Sequence, residues 1–429
     1  MADSTALLTD HYELTMLQAA LADGTAHRSS VFELFARRLP GGRRYGVVAG
    51  TGRVLDAIEQ FRFGDEELAW LREHDVVDGP TADWLADYRF SGDVWGYAEG
   101  ELYFPGSPVL VVESTFAEGV VLETLLLSIL NHDAAIATAG ARMITAAGER
   151  PCIEMGSRRT QERSAVAAAR AAYLVGFAAT SNLEAGRTHG VPTTGTSAHA
   201  FTLLHDTERD AFTAQVASLG AGTTLLVDTY DVTEAVRVGV EVAGPGLGAV
   251  RLDSGDLPLL ARQVREQLDA LGAHDTRIIV TSDLDEHAIA RLAAAPVDGY
   301  GVGTALVTGS GSPTCGFVYK LVARADDAGE LVPVAKKSAD KQSVGGRKHA
   351  LRRRSPDGTA TAEVIGIGAP PDSDGDDRSL LVPLVQQGRR VHEVDLAQAR
   401  AHHAAAKAEL PAAAHRLTKG DPVLPTQYV

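Results

Sequence analysis

Between Leu122 and Ile136 the apolar residues fall at Leu122, Leu125, Leu126, Ile129, Leu130 and Ile136, a three-and-four spacing that predicts an amphipathic helix. Beyond it the chain repeats one pattern: a short run rich in apolar or β-branched residues, a small polar cluster, then a helical stretch. The clusters are Glu154-Met155-Gly156-Ser157-Arg158, Ala179-Thr180-Ser181-Asn182, Gly195-Thr196-Ser197-Ala198-His199, Asp228-Thr229-Tyr230-Asp231, Asp253-Ser254-Gly255-Asp256, Ser282-Asp283-Leu284-Asp285 and Gly301-Val302-Gly303-Thr304. One of the following helices is marked by Leu257, Leu260, Val264, Leu268 and Leu271 along a single face.

Strand and helix in alternation predict an α/β fold with a parallel sheet, and about seven units in a row favour a closed (β/α) barrel over an open sheet. In such barrels the chemistry gathers where the strands end. Turn formers and helix caps also collect at strand ends, but a histidine, an arginine pair and repeated aspartates exceed what capping requires.

Outside the repeats the pattern is mixed. Val31 to Phe35 and Pro108 to Glu113 are β-like, as is Leu380 to Val385 near the other end. The expected organisation is a barrel-like catalytic domain over residues 121–330 and a second, mixed α+β domain in which residues 331–429 return to residues 1–120. Asp372 to Asp377 superficially resembles a calcium loop, but it lacks the sixth-position glycine and has Pro383 where the closing glutamate belongs. A solvated surface loop is expected there. His402 and His403 lie in an alanine-rich stretch that predicts a terminal helix, where adjacent histidines point to different faces.

The 429 residues are 45% hydrophobic, enough for a large core and more than one domain. A formal charge of −16 disfavours nucleic-acid and anionic-membrane partners. Anionic small substrates would need local basic groups, and these occur at Arg37-Arg38, Arg43-Arg44, Arg158-Arg159 and Lys336-Lys337. Cys152 and Cys315 are too few for a disulfide framework or a cysteine metal site. The first twenty residues carry Asp3, Asp10 and Glu13 without a basic leader, and no apolar run is expected to approach the roughly 18 residues of a membrane span. A cytoplasmic protein is the expectation.

His199 can serve as a nucleophile, a general acid or base, or a hydrogen-bonded structural residue. Its company raises the functional reading. Arg158 and Arg159 offer fork-shaped donors for carboxylate or phosphate, and Gly301 to Thr304 is a late glycine-rich strand end, a usual phosphate position in barrels. Asp253 and Asp256 can cap the following helix or hold ribose hydroxyls or a magnesium-bound pyrophosphate, and Asp228 and Asp231 carry the same ambiguity. No cluster has zinc-like spacing, and no protein metal site is expected.

Thr9-Asp10-His11-Tyr12-Glu13-Leu14-Thr15-Met16 resembles the N-terminal motif of the nicotinate phosphoribosyltransferases, and Phe32 to Phe35 through Pro40 resembles their next block. Glu154 to Arg159, Thr180 to Asn182, Gly195 to Ala200, Leu226 to Asp231 and Arg251 to Asp256 resemble later blocks in the family's order. The resemblance runs from about Leu7 to Lys348. It implies an irregular α/β barrel with a second domain from both chain ends, working as a homodimer with active sites at the subunit interface. It also implies phosphoribosyl transfer from phosphoribosyl pyrophosphate to nicotinate in NAD biosynthesis, coupled to ATP, with magnesium carried by pyrophosphate and ATP.

Residue by residue, the resemblance implies that His199 accepts a phosphoryl group from ATP. Tyr12 would reach over from the partner subunit to stack on the pyridine ring. Arg158 would pair the nicotinate carboxylate, Arg251 would approach the nicotinate or the phosphoribosyl group, and Asp253 would hold ribose hydroxyls. Gly303 and Thr304 would donate to the 5-phosphate, with Ser282 and Asp283 bordering the site and Thr196, Ser254 and Gly255 among its substrate-binding groups. Nicotinamide-using relatives place an aspartate where Ser181 stands, which would repel a carboxylate, so Ser181 favours the acid. Met155 departs from an aromatic residue in those relatives, turning a two-ring sandwich into a ring against a thioether. The basic stretch Lys336-Lys337-Ser338 through Lys341 with Arg347-Lys348 resembles a family segment placed near phosphates, or is a solvated loop. The rivals are a nicotinamide or quinolinate phosphoribosyltransferase, a barrel aldolase or isomerase with Lys320 or Lys336 as reactive amine, and an inactive ligand-binding relative.

Overall fold

A computed structural model describes residues 4–336 and 343–429; Lys337, Ser338 and Lys341 of the basic stretch lie outside the described residues. The chain forms two compact units, one from residues 136–311 and one from residues 1–135 with 312–429.

The 136–311 unit holds a six-stranded sheet in the spatial order Ala179–Thr180, Cys152–Glu154, Gly299–Val302, Arg277–Val280, Ala249–Leu252, Thr224–Leu226. All its pairings are parallel. Parallel strands are covered on both faces and therefore read as apolar runs; Leu225, Leu226, Val250, Leu252, Ile278, Val280, Tyr300 and Val302 are all buried. Helices return the chain between strands, among them Val232–Ala243, capped by Asp231, and Leu257–Ala270, capped by Asp256. The buried face of the latter is Leu257, Ala261, Val264 and Leu268. Ala261 stands in for the expected Leu260 and Leu271, and Leu271 is already the cap residue beyond the helix.

The expected closed barrel is corrected to a curled, open one. The third unit contributes only a single parallel bridge, Thr193 to Thr180, and among the described residues no pairing joins it to Thr224–Leu226. Pro192 has no amide hydrogen to donate, so Val191 to Gly195 cannot sustain a ladder. His199 accordingly does not end a strand. It opens the short helix His199–Leu203 after an extended loop.

The other unit is built around a seven-stranded antiparallel sheet in the order Leu331–Pro333, Phe317–Ala325, Ser29–Ala36, Leu110–Thr115, Asp93–Tyr97, Leu381–Gln386, Arg389–Arg390. The β-like stretches at Val31, Pro108 and Leu380 are thus strands of one sheet. Alternation divides Ser29–Ala36 between two apolar clusters, Phe32 and Leu34 facing one and Val31 the other. A four-stranded sheet, Arg378–Ser379, Lys348–Arg354, Ala360–Ile367, Thr426–Tyr428, completes it. Buried charges there are paired: Lys348 with Glu33, and Arg352 with Glu363 at 2.9 Å. Asp372 to Asp376 are exposed, but the Asp377 side chain is buried against Arg353, so that loop is anchored at its end.

The helix predicted from Leu122 runs further, Glu123–Ala147. The stretch Phe116–Ala147 is long and apolar enough, by length and composition, to cross a membrane, against the expectation that no such run exists. Its second half is rich in alanine rather than leucine, which hides it from a search for large apolar residues. Most of it is buried in the protein, and Asp133 within it is fully buried and paired with Arg53 at 2.7 Å.

Candidate active site

The C-terminal ends of four adjacent parallel strands surround a cavity of about 260 Å³ lined by Met155, Arg158, Arg159, Arg251, Asp253, Thr281, Ser282, Asp283, Gly301, Gly303 and Thr304. Arg158, Arg251, Asp253, Ser282, Asp283, Gly303 and Thr304 are therefore brought together. Arg158 and Arg159 are exposed on the turn after Cys152–Glu154. Among the described residues no lysine lines this cavity. The two amines of the reactive-amine rival both belong to the other unit, Lys320 meeting Glu123 at 3.5 Å and Lys336 exposed, and neither lines the cavity.

Arg251 projects from Ala249–Leu252 and divides itself between cavity and loop. One terminal nitrogen donates to Thr196 Oγ1 and the other to Ser197 O at 3.0 Å, while its Nε is buried without a partner. Burial pulls its guanidinium below the usual value and Arg158 adds to this, with Asp253 and Asp228 opposing. Asp253 does not cap a helix; it accepts from the Thr281 hydroxyl. Asp256 is the cap, accepting from Leu259 N at 3.2 Å. Ser282 holds a φ of 108°, a left-handed backbone that costs a serine about 1–3 kcal/mol.

His199 lies beside this cavity rather than lining it. Its Nδ1 is 3.1 Å from Thr229 Oγ1, and its Nε2 is 3.9 Å from Asp228 Oδ1. Asp228 Oδ2 accepts from Asp253 N at 3.0 Å and from Ser254 Oγ at 2.6 Å, while Oδ1 is buried with no donor. Thr196, Ser181, Ser254 and Gly255 likewise do not line the cavity. Thr196 enters through Arg251, and Ser254 through Asp228. Gly255, at a φ of 87°, makes the turn into the Leu257–Ala270 helix. Tyr12 is in the other unit, half exposed at the start of the His11–Asp23 helix, and burial followed by Glu123, Glu13 and Asp10 pushes its hydroxyl up to about 12.

Close packing explains two glycines. A Cβ on Gly301 would fall 2.5 Å from Thr281 Cγ2 and 2.7 Å from the Met155 sulfur, and one on Gly156 would fall 2.2 Å from Val307 Cγ1. The sequence assigns no role to Thr229 or Glu154, while Asp228, a cap or a functional group by its sequence, holds Asp253 N and Ser254 Oγ. Glu154 is fully buried at its strand end, and a charged residue interrupting an apolar strand run is the one signal that marks it.

Three arginines, two aspartates and a glycine-rich turn at the ends of parallel strands define an α/β enzyme site for a substrate bearing carboxylate or phosphate groups. Residues 7–131 match the family model of the nicotinate phosphoribosyltransferase N-terminal domain. The chain is 58% identical to a nicotinate phosphoribosyltransferase of Mycobacterium tuberculosis, over 100% of this chain and 96% of the relative. It is 38% identical to the Bacillus subtilis nicotinate phosphoribosyltransferase, over 82% and 73%. The crystal structure of human nicotinic acid phosphoribosyltransferase superposes with a TM-score of 0.84 at 26% identity, covering 98% of this chain and 97% of that one. The chain belongs to the nicotinate phosphoribosyltransferase family.

Proposed function

We propose that this chain transfers the phosphoribosyl group of phosphoribosyl pyrophosphate to the ring nitrogen of nicotinate, forming nicotinate mononucleotide for NAD biosynthesis, and that ATP drives the reaction through His199. The observation that carries this reading is the convergence of Arg158, Arg159, Arg251, Asp253 and the Gly303–Thr304 turn on one cavity. Exposed Arg158 suits the nicotinate carboxylate, and a planar guanidinium can hold it bidentately. Asp253, fixed by Thr281, suits the ribose hydroxyls, and the Gly303–Thr304 turn suits the 5-phosphate.

In the transfer the C1–oxygen bond to pyrophosphate breaks, the nitrogen lone pair forms the new C1–N bond, and pyrophosphate leaves with the bonding electrons. Positive charge grows on the sugar as this happens, so catalysis comes from positioning and electrostatics rather than from a covalent sugar intermediate. Magnesium carried by pyrophosphate and ATP supplies charge neutralisation; among the described residues no group of three or more His, Cys, Asp or Glu gathers to hold a metal. ATP gives its γ-phosphoryl group to His199, and hydrolysis of the phosphohistidine accompanies product release. Phosphorylation replaces a small ring by a dense negative charge able to reorganise nearby donors, of which Arg251 is bound to the loop just before His199. Ser181 adds no negative charge beside the base, which favours the acid over the amide. We also propose that the protein works as a homodimer in which Tyr12 of one subunit stacks on the pyridine bound by the other.

Incubation with γ-labelled ATP tests the coupling. Acid-labile, base-stable label absent from His199→Ala is expected; turnover without ATP and without labelling overturns that role. Steady-state assays with nicotinate, nicotinamide and quinolinate test the substrate, and turnover of nicotinamide well above nicotinate overturns it.

A further inference from the structure

Glu154 sits fully buried at the end of the Cys152–Glu154 strand, and the chemistry above gives it no task. Its two carboxylate oxygens serve two different loops. Oε1 accepts from Gly156 N, on the turn that leads to Arg158. Oε2 accepts from the Thr180 hydroxyl, at the end of the neighbouring strand and one residue before Ser181. The Thr180 oxygen in turn accepts from Asn182 N at 2.9 Å, and Asn182 Nδ2 donates to Ser157 Oγ at 3.0 Å. Ser181 N also donates to the Glu154 carbonyl at 2.8 Å.

The contacts close a ring that runs Glu154, Thr180, Asn182, Ser157 and back along the backbone through Gly156. Each of its side-chain oxygens and nitrogens has a partner, the condition under which a buried polar network rigidifies its surroundings. The two turns it ties together are the ones that carry Arg158 and Ser181. The approach at Gly156 leaves no room for slack, since a Cβ there would meet both Val307 and the Glu154 carboxylate.

We infer that Glu154 is a positioning residue for recognition of the nicotinate carboxylate: by joining Gly156 to Thr180 it fixes the separation of the Arg158 turn from the Ser181 turn. The inference rests on the reading that Arg158 takes that carboxylate. A ring in this place acts first on the affinity for the base and on discrimination between acid and amide, because none of its hydrogen bonds goes to Asp253 or to Gly303–Thr304.

The test is steady-state kinetics of the full-length enzyme carrying Thr180→Val, which keeps the shape and removes the hydroxyl, with Thr180→Ser and Glu154→Gln alongside. Loss of a hydrogen bond to a charged group costs about 10- to 100-fold, so Thr180→Val is expected to raise the KM for nicotinate by about tenfold or more. It should narrow the preference over nicotinamide and leave the KM for phosphoribosyl pyrophosphate essentially unchanged. Thr180→Ser should restore the wild-type pattern, and Glu154→Gln, which keeps one acceptor, should show the same pattern more weakly. An unchanged KM for nicotinate in Glu154→Gln and Thr180→Val, or an equal rise for both substrates, overturns the inference. Should Thr180→Val fail to fold, Glu154→Gln alone decides by the same split. A wild-type enzyme that binds no nicotinate overturns the substrate reading first, and is told apart because it needs no variant.

Discussion

Asp228 Oδ1 faces His199 Nε2 across 3.9 Å while the other oxygen of the same carboxylate holds Asp253 N and Ser254 Oγ. One buried side chain thus adjoins the histidine and also fixes the turn that carries Asp253. In Asp228→Asn the amide oxygen keeps the two donors and turns its NH2 toward His199. Removing a carboxylate charge about 4 Å from a group that changes charge is worth about 1–4 kcal/mol, so ATP-dependent labelling and turnover should fall about 10-fold or more. Thermal unfolding should change little; unchanged labelling kinetics would remove Asp228 from any role at the imidazole.

Arg251 uses both ends of its fork on the loop before His199. A lysine has the charge but not the planar pair of donors. Arg251→Lys should therefore lower kcat/KM by about 10-fold or more, close to Arg251→Ala, because each lost charged hydrogen bond is worth about 1.5–3 kcal/mol. Kinetics on both variants decide the matter, and full rescue by lysine would show that only the charge counts.

Ser282 carries its strain at the rim of the cavity. Glycine accepts a φ of 108° without the Cβ penalty, though it loses about 0.4–1 kcal/mol through a freer unfolded chain. Ser282→Gly should stabilise the protein by about 1 kcal/mol net, and Ser282→Ala should not. Urea unfolding followed by circular dichroism would reveal the opposite order if the backbone here is unstrained.

Acid stability should depend on His403. Its Nδ1 donates to Gly100 O at 3.0 Å, its Nε2 is buried without a donor, and burial lowers the ring to about 4 from the usual 6.5. In the unfolded chain the imidazole takes up its proton near 6.5, so between pH 6.5 and about 4 the unfolded state binds more protons and stability falls as pH falls. The contribution is complete above pH 6.5. His403→Gln should flatten the decline of the unfolding midpoint across that window; an unaltered slope would contradict the assignment.

Periodicity carried the helix–strand alternation because each parallel strand is buried on both faces and each returning helix on one. It overstated closure, since Pro192 and the loop after it share the polar, small-residue composition of a true strand end. It understated the long Glu123–Ala147 helix, where burial is achieved by Ala134, Ala135, Ala137 and Ala139, residues too small to register as an apolar stripe. At the site, Arg158, Arg251, Asp253 and the Gly303–Thr304 turn were legible as residue types at strand ends. The pairing of Asp228 with Asp253 and Ser254, and the joining of Gly156 to Thr180 by Glu154, were not. Those contacts depend on which strands are neighbours, and the order of strands in space is not written in the spacing of residues along the chain.

The lone bridge at Thr193 has a mechanical consequence. Past Thr194 N, which donates to Thr180 O at 3.0 Å, the segment leading to His199 is held by side chains, Arg251 on Thr196 and Ser197 and Thr229 on the imidazole. Amide hydrogens of residues 195–198 should therefore exchange through a small local opening, while those of Ala249–Leu252 wait for the sheet to come apart. Local opening of the segment before the imidazole would break these few contacts and no strand pairing.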